Sequence, residues 1–279
     1  MRKLPLFVCS LGIVLLSSLA FAENYTIKSY YYGRSAFNFS TDGWLKTSLL
    51  SESNFGGPTA VVKDVKFTSI TLSNSFDYQT YSDADIFVAI FGEDASTSLT
   101  QTQANGLRDF VLNGGSLIVV ADYDPRSIQS ANLVGALFGG VTFQSGSSAA
   151  TTNFLDIPAF SDITDGPFGK VNSVSWGSNI ASTISQAGDS TILDTRAIVS
   201  VIAPTETRGS VFFFHDPYNF FGTYAYGDHH NLLLNMFNYS AESVGGTGTS
   251  NTVPEPCTVM LMSLSVIGFG LKRIRTNLK

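Results

Sequence analysis

The chain has 279 residues, 16 Lys and Arg, 22 Asp and Glu, three His and two Cys. The first 22 residues hold two of the basic side chains, and residues 253–279 hold four more together with Glu255, so residues 23–252 carry 10 basic and 21 acidic groups, a net charge of −11. That balance excludes a nucleic-acid binder, which needs a basic footprint for the phosphates, and the confinement of Cys9 and Cys257 to the two ends excludes disulfides, thiolate catalysis and Cys-based zinc sites in the body.

The amino-terminal segment reads as a secretory leader. Met1-Arg2-Lys3 is a short basic start, Leu4 to Leu19 is mostly apolar, and Ala20-Phe21-Ala22 is a small-x-small cleavage site. Signal peptidase is the expected processing enzyme, with Glu23 as the first mature residue. The apolar stretch is short and broken by Ser17 and Ser18, which suits a cleaved leader better than a retained anchor. Cys9 precedes most of the apolar run, so it is not placed as a lipid acceptor.

The body, residues 23–243, alternates strand and helix signals. Tyr25 to Tyr32 is β-branched and aromatic, and reads as a first strand. Asp42 is placed to cap a short helix through about Ser51, with Trp44, Leu45 and Leu49 as its apolar face. Val61 to Ile70 reads as a strand. Asp85 to Phe91 is a nearly continuous apolar run ending at Gly92, the pattern of a parallel strand buried on both faces. Thr100 and Gln103 then have capping-box spacing. Ala104, Leu107, Phe110 and Val111 form one helical face, and Asn113-Gly114-Gly115 ends it. Ser116 to Ala121 is a second apolar strand, which closes a βαβ unit whose crossover should be right-handed.

Leu133 to Phe138 reads as a further helix and Val141 to Phe143 as a short strand. Residues 144–190 are rich in Gly, Ser and Asn, and beyond a turn at Asp165 to Gly169 they show no period. Arg196 to Ala203 and Gly209 to His215 are expected to pair as a hairpin. Asp228 is placed to cap a last amphipathic helix through Tyr239 that buries Leu232, Leu233, Met236 and Phe237.

This order is similar to the class I glutamine amidotransferase-like fold. The residues that carry the likeness are Asp85 to Gly92, Asn105 to Asp122, and the segment from Gly209 through Phe221 with Asn231 to Tyr239. The resemblance implies an α/β domain built on a single doubly wound, mostly parallel, flavodoxin-like sheet. It does not imply the family's chemistry. Where an active amidotransferase has a nucleophilic Cys after the central strand, this chain has Asp122, Tyr123 and Asp124. No His-x-Glu pair follows, since His215 precedes Asp216-Pro217 and His229 precedes His230-Asn231.

Two other groupings could carry a function. Asp122, Asp124, His215 and Asp216 all fall at expected strand ends. They could converge on a divalent metal at the carboxyl edge of the sheet, or could cap helices and terminate strands. Tyr218, Phe220, Phe221, Tyr224 and Tyr226 could stack on sugars or simply pack. His229 and His230 are neighbours on a helix and should face different directions. No phosphate loop, EF-hand loop, HExxH or GxSxG occurs, and no cofactor is expected.

Residues 244–252, Val-Gly-Gly-Thr-Gly-Thr-Ser-Asn-Thr, read as a flexible linker. Val253-Pro254-Glu255-Pro256 follows, then an apolar run from Cys257 to Leu271, then Lys272, Arg273 and Arg275 as a basic stop. The basic cluster should stay cytoplasmic. The run is interrupted only by Thr258, Ser263 and Ser265; its fifteen residues at about 1.5 Å each span roughly 22 Å, short of a ~30 Å hydrocarbon core, so the helix is a transient membrane hold. Motif, apolar run and basic end in this order resemble the PEP-CTERM sorting signal of bacterial exported proteins. That resemblance implies processing by exosortase, a membrane transpeptidase-like enzyme, and an association with extracellular polysaccharide and biofilm. The expectation is an exported protein, held in the inner membrane as precursor and then placed at the cell surface or in the matrix of a Gram-negative-type bacterium. Its body would be non-catalytic, with a metal-assisted hydrolase of extracellular carbohydrate as the alternative.

Overall fold

The computed structural model describes residues 22–32, 43–92, 97–146, 150–153, 161–176, 181–194, 197–215, 217–221 and 225–244. These fall in one unit, Ala22–Gly248, while the other, Met1–Phe21 with Thr249–Lys279, lies outside the described residues.

The chain enters through β1 (Glu23–Tyr32), α1 (Gly43–Leu49) and β2 (Val65–Leu72). It continues with β3 (Ile86–Phe91), α2 (Gln101–Leu112), β4 (Ser116–Ala121) and α3 (Pro125–Leu137). Short strands follow: β5 (Thr142–Gly146), β6 (Ala150–Asn153), a turn of helix α4 (Ser161–Thr164), β7 (Asp165–Gly166), β8 (Gly169–Lys170), β9 (Ser173–Trp176) and β10 (Ala181–Gln186). The chain then adds β11 (Thr191–Ile192), β12 (Val199–Ile202), β13 (Val211–His215), α5 (Pro217–Phe220), β14 (Ala225–Gly227) and α6 (His229–Glu242).

The main sheet has seven strands in the order β11-β12-β13-β4-β3-β1-β2. The five strands from β13 to β2 are mutually parallel; at one edge β12 runs antiparallel to β13, and β11 antiparallel to β12. The two apolar runs expected to be parallel neighbours are so paired, Ile86 with Ser116 through Phe91 with Ala121. Both strands are fully buried, as their lack of polar alternation requires.

Successive residues of β3 and β4 feed two cores, one on each face of the sheet. Ile86, Val88, Ile90, Ile118 and Val120 pack with Leu45 and Leu49 of α1 and with Leu232, Leu233, Met236 and Phe237 of α6. Phe87, Ala89, Phe91, Leu117 and Val119 pack with Leu107, Phe110 and Val111 of α2 and with Ala131 and Val134 of α3. Each fully buried large apolar side chain contributes about 1.5–3 kcal/mol.

Several boundaries differ from the sequence expectation. β2 starts at Val65 because Val62 is drawn into a separate bridge with Phe55. The helix expected from Leu133 begins at Pro125, with Asp124 as its cap. The strand around Val141 to Phe143 joins β10 outside the main sheet rather than extending it. The turn at Asp165 to Gly169 closes the β7–β8 ladder. The expected hairpin of β12 with β13 is present. Asp42, named as a cap for α1, lies outside the described residues.

Candidate functional site at the carboxyl edge of the sheet

In a parallel sheet the loops that leave the carboxyl ends of the strands line the crevice where ligands bind. Three central strands end level here, because Ala121 pairs with both Phe91 and His215. Asp122 is the next residue and is 1% exposed. Its amide donates to Phe91 O at 2.9 Å and to Ser127 Oγ at 2.7 Å, and Ser127 Oγ donates to Phe91 O at 2.6 Å. Its own Oδ1 accepts from the Tyr123 amide at 2.7 Å.

Asp124 is the amino cap of α3. Its Oδ1 accepts from the Arg126 amide at 2.9 Å and from the Ser127 amide at 3.4 Å, with Pro125 at the first helical position. The Asp122-to-Pro125 turn is therefore a strand-to-helix connection in which both carboxylates hold main-chain amides. Of the other two members of the expected metal group, Asp216 and the side chain of His215 lie outside the described residues. Among the described residues no group of three or more His, Cys, Asp or Glu side chains could hold a metal ion.

A second cluster sits at the same edge, where α1 and α6 begin. Trp44 Nε1 donates to Phe221 O at 2.9 Å. Its indole stacks on His230, with ring centroids 3.8 Å apart and planes 20° apart, and meets His229 edge-on at 5.8 Å. His229 is buried and His230 exposed, as neighbours on one helix should be. Partial desolvation beside the indole holds the His230 imidazole below its ordinary value of 6.5. The contact joins residues 186 positions apart, and no local pattern in the sequence signals it.

Asp228 precedes α6 as expected but makes no side-chain bond to the helix. Its Oδ2 accepts instead from the Asn172 and Ser173 amides at 2.8 and 3.3 Å. Ser173 opens β9, the strand that β14 pairs with, and Asn172 directly precedes it, so the carboxylate ties the start of β9 to the helix start. Two turns along the helix, the buried Asn235 accepts from Phe168 N and donates to Ile163 O and Gly169 O. The sequence reading missed Asn235; a polar residue inside the apolar face of an amphipathic helix was the available signal.

Of the aromatic group, Phe220 and Phe221 are buried, and Phe220 packs on Phe214, Phe221 and Phe237 with centroids 5.3–6.5 Å apart. Tyr224 and the side chains of Tyr218 and Tyr226 lie outside the described residues, as do Val253, Pro254, Glu255, Pro256, Lys272, Arg273 and Arg275. No described helix is long and apolar enough to cross a membrane.

No protein-family model and no curated protein matches the chain. Solved structures similar to it include the N-terminal domain of mmIFT52, at 12% identity and a TM-score of 0.49 over 77% of this chain and 97% of that one. A ThuA-like protein from Bacteroides uniformis is similar at 12% identity and a TM-score of 0.47 over 80% and 94% of the two chains. A cytoplasmic protein from Salmonella typhimurium is similar at 9% identity and a TM-score of 0.45 over 77% and 98%.

Proposed function

We propose that this chain is an exported cell-surface or extracellular-matrix protein, sorted through a PEP-CTERM tail and processed by exosortase, with a body that binds or builds rather than catalyses. The observation that carries the reading is the ordered tail: Val253-Pro254-Glu255-Pro256, fifteen mostly apolar residues, then Lys272, Arg273 and Arg275. A motif that can be cut, a membrane hold and a cytoplasmic stop are the three parts a removable anchor needs. Extracellular polysaccharide is the partner this reading implies.

The non-catalytic body is supported by chemistry at the sheet edge. Thioester formation needs a thiolate, a base and oxyanion donors, and residues 23–252 contain no Cys. Asp124, a candidate ligand or reactive group, spends its carboxylate on the helix cap. That use also weakens the hydrolase alternative. We read the body as class I glutamine amidotransferase-like; its parallel strands follow the 2-1-3-4-5 pattern of flavodoxin-like sheets, which supports that reading.

The test is fractionation of the full chain in an exosortase-bearing host. Glu255→Ala, or deletion of residues 272–279, should leave unprocessed precursor in the membrane fraction. Unchanged surface display or release in both variants would overturn the sorting reading.

A further inference from the structure

We infer that the last turn of α6 is a proton-sensitive latch, in which the carboxyl of Glu242, once protonated, donates to Asn238 Oδ1 and closes a paired carboxylic acid–carboxamide contact.

Asn238 stands one turn before Glu242 on the helix and is 2% exposed. Its Nδ2 donates to Glu242 Oε1 at 2.8 Å. Its Oδ1 is buried and meets no donor among the described residues. A buried carbonyl without a donor is destabilising, and the neighbour on the same helix face is an acid that can supply one. Ionised, Glu242 only accepts and answers half of the carboxamide. Protonated, it carries an O–H beside its acceptor oxygen, the complement of the donor and acceptor that a carboxamide presents.

The charged groups that face this carboxyl favour the proton. Asp64, ahead of β2, and Asp162, in α4, are both negative. On its own helix, the Tyr239 hydroxyl is pushed up by burial and then by Asp162 and Glu242. The last turn of α6 holds no basic residue, and a carboxylate at the carboxyl end of a helix opposes its dipole. Partial burial, with Asp64 and Asp162 adding to it, holds the Glu242 carboxyl above its ordinary value of 4.5, although the Asn238 bond pulls the other way. The side chain as a whole is exposed, so protons reach it. Between the ordinary and the folded value the folded state binds more protons. The stabilisation is therefore full below about pH 4.5 and is lost as pH rises through the folded value.

This turn is where the fold hands over to the tail. The Ser243 and Val244 amides close it by donating to Tyr239 O and Ala241 O, both at 3.1 Å. Ser243 Oγ donates to Ser210 Oγ at 2.8 Å and Ser116 Oγ to Ser240 O at 2.9 Å, which seats the helix end beside the starts of β13 and β4. Eight residues then separate Val244 from Val253. On the sorting-tail reading, acid holds the turn closed and keeps the free length of the tail at those eight residues. Loss of the proton loosens the turn and lengthens it.

The experiment is a pH titration, by NMR, of the full chain in detergent with its glutamate carboxyls labelled, Glu242 being assigned by the signal lost in Glu242→Gln. Asn238→Leu decides the sign. If the proton bridges to Asn238 Oδ1, removing the carboxamide lowers the Glu242 midpoint. If Asn238 only donates to the carboxylate, removing it raises the midpoint; a raised or unchanged midpoint overturns the latch. Glu242→Gln supplies a permanent donor, and its introduced side-chain amide protons should exchange with solvent more slowly than in the urea-unfolded chain. Exchange at the unfolded rate would overturn the latch even if Asn238→Leu does not fold. Neither readout involves the tail, so the latch fails separately from the sorting reading, which Glu255→Ala tests.

Discussion

The side chain of Asn235 and the main chain of Phe168, 67 residues apart, are joined by a hydrogen bond of 3.0 Å from the Phe168 amide to Asn235 Oδ1. The same carboxamide donates to Ile163 O at 3.0 Å and to Gly169 O at 3.1 Å. One side chain thus satisfies three main-chain groups of a segment whose only elements are the four-residue turn of helix α4 and the two-residue strands β7 and β8. Replacing a buried hydrogen-bonding side chain leaves its partners unsatisfied at about 1–3 kcal/mol each. Asn235→Ala should lower the unfolding free energy by about 3 kcal/mol or more in urea titrations. Asn235→Asp should be no better, because it keeps the acceptor for Phe168 but turns a carboxylate toward two carbonyls. A loss under about 1 kcal/mol in both variants would mean that the segment does not depend on this bridge.

Tyr81 poses the opposite case. Its ring is fully buried and stacks on Phe87, with centroids 4.1 Å and planes 15° apart, but its hydroxyl has no hydrogen-bond partner among the described residues. The ring contributes packing; the hydroxyl only loses its hydration. Tyr81→Phe should leave stability unchanged or raise it by about 1 kcal/mol, while Tyr81→Ala should cost about 3–5 kcal/mol through the cavity. Chemical denaturation of the two variants side by side checks the sign of the first against the size of the second.

Gly135 sets helix propensity against packing. Within α3, alanine in place of glycine would ordinarily gain about 1 kcal/mol. Here a Cβ would stand 2.1 Å from Val141 O and 3.2 Å from Val141 Cβ. The chain folds back on the helix, with Gly140 N and Val141 N both donating to Gly135 O. Overpacking of this kind costs about 1–3 kcal/mol and main chain cannot rotate aside. Gly135→Ala should therefore lower Tm despite its better propensity, and a raised Tm would show that the Val141 turn yields.

The parts of the fold that were legible in the sequence are those whose cause is local. Asp85 to Phe91 and Ser116 to Ala121 announce buried parallel strands by having no polar face. Thr100 and Gln103 announce a helix start, and both halves of the capping box form, with Gln103 N donating to Thr100 Oγ1 and Thr100 N to Gln103 Oε1. Asp124-Pro125 carries an equally local start signal, and the capping alternative for Asp124 is the one the structure takes, though the helix it opens begins eight residues before the expected Leu133. Residues 144–190 were illegible for a different reason: β5, β6, β9 and β10 are four to six residues long, and their ladders are made with distant partners. The site was harder still. The use of Asp228 by Asn172 and Ser173, and the Trp44–His230 stack, exist only once separate segments meet.

The Trp44–His230 stack gives the sheet edge a pH dependence whose direction can be worked out. Desolvation lowers the His230 imidazole below 6.5 in the folded protein, whereas the unfolded chain holds it near the ordinary value. Between those two values the unfolded state binds more protons, so stability rises with pH there. The contribution is complete above about pH 6.5 and is lost as pH falls through the folded value. His230 is exposed, so the effect should be small, and it has to be read as a difference between proteins. His230→Gln should flatten the change in Tm between pH 7.5 and 5.5 relative to the parent, other titrations being common to both. Trp44 fluorescence should change over the same interval in the parent and stay level in the variant. Identical Tm slopes, with a Trp44 signal that moves equally in both proteins, would mean that the imidazole stacked on the indole does not take up the proton.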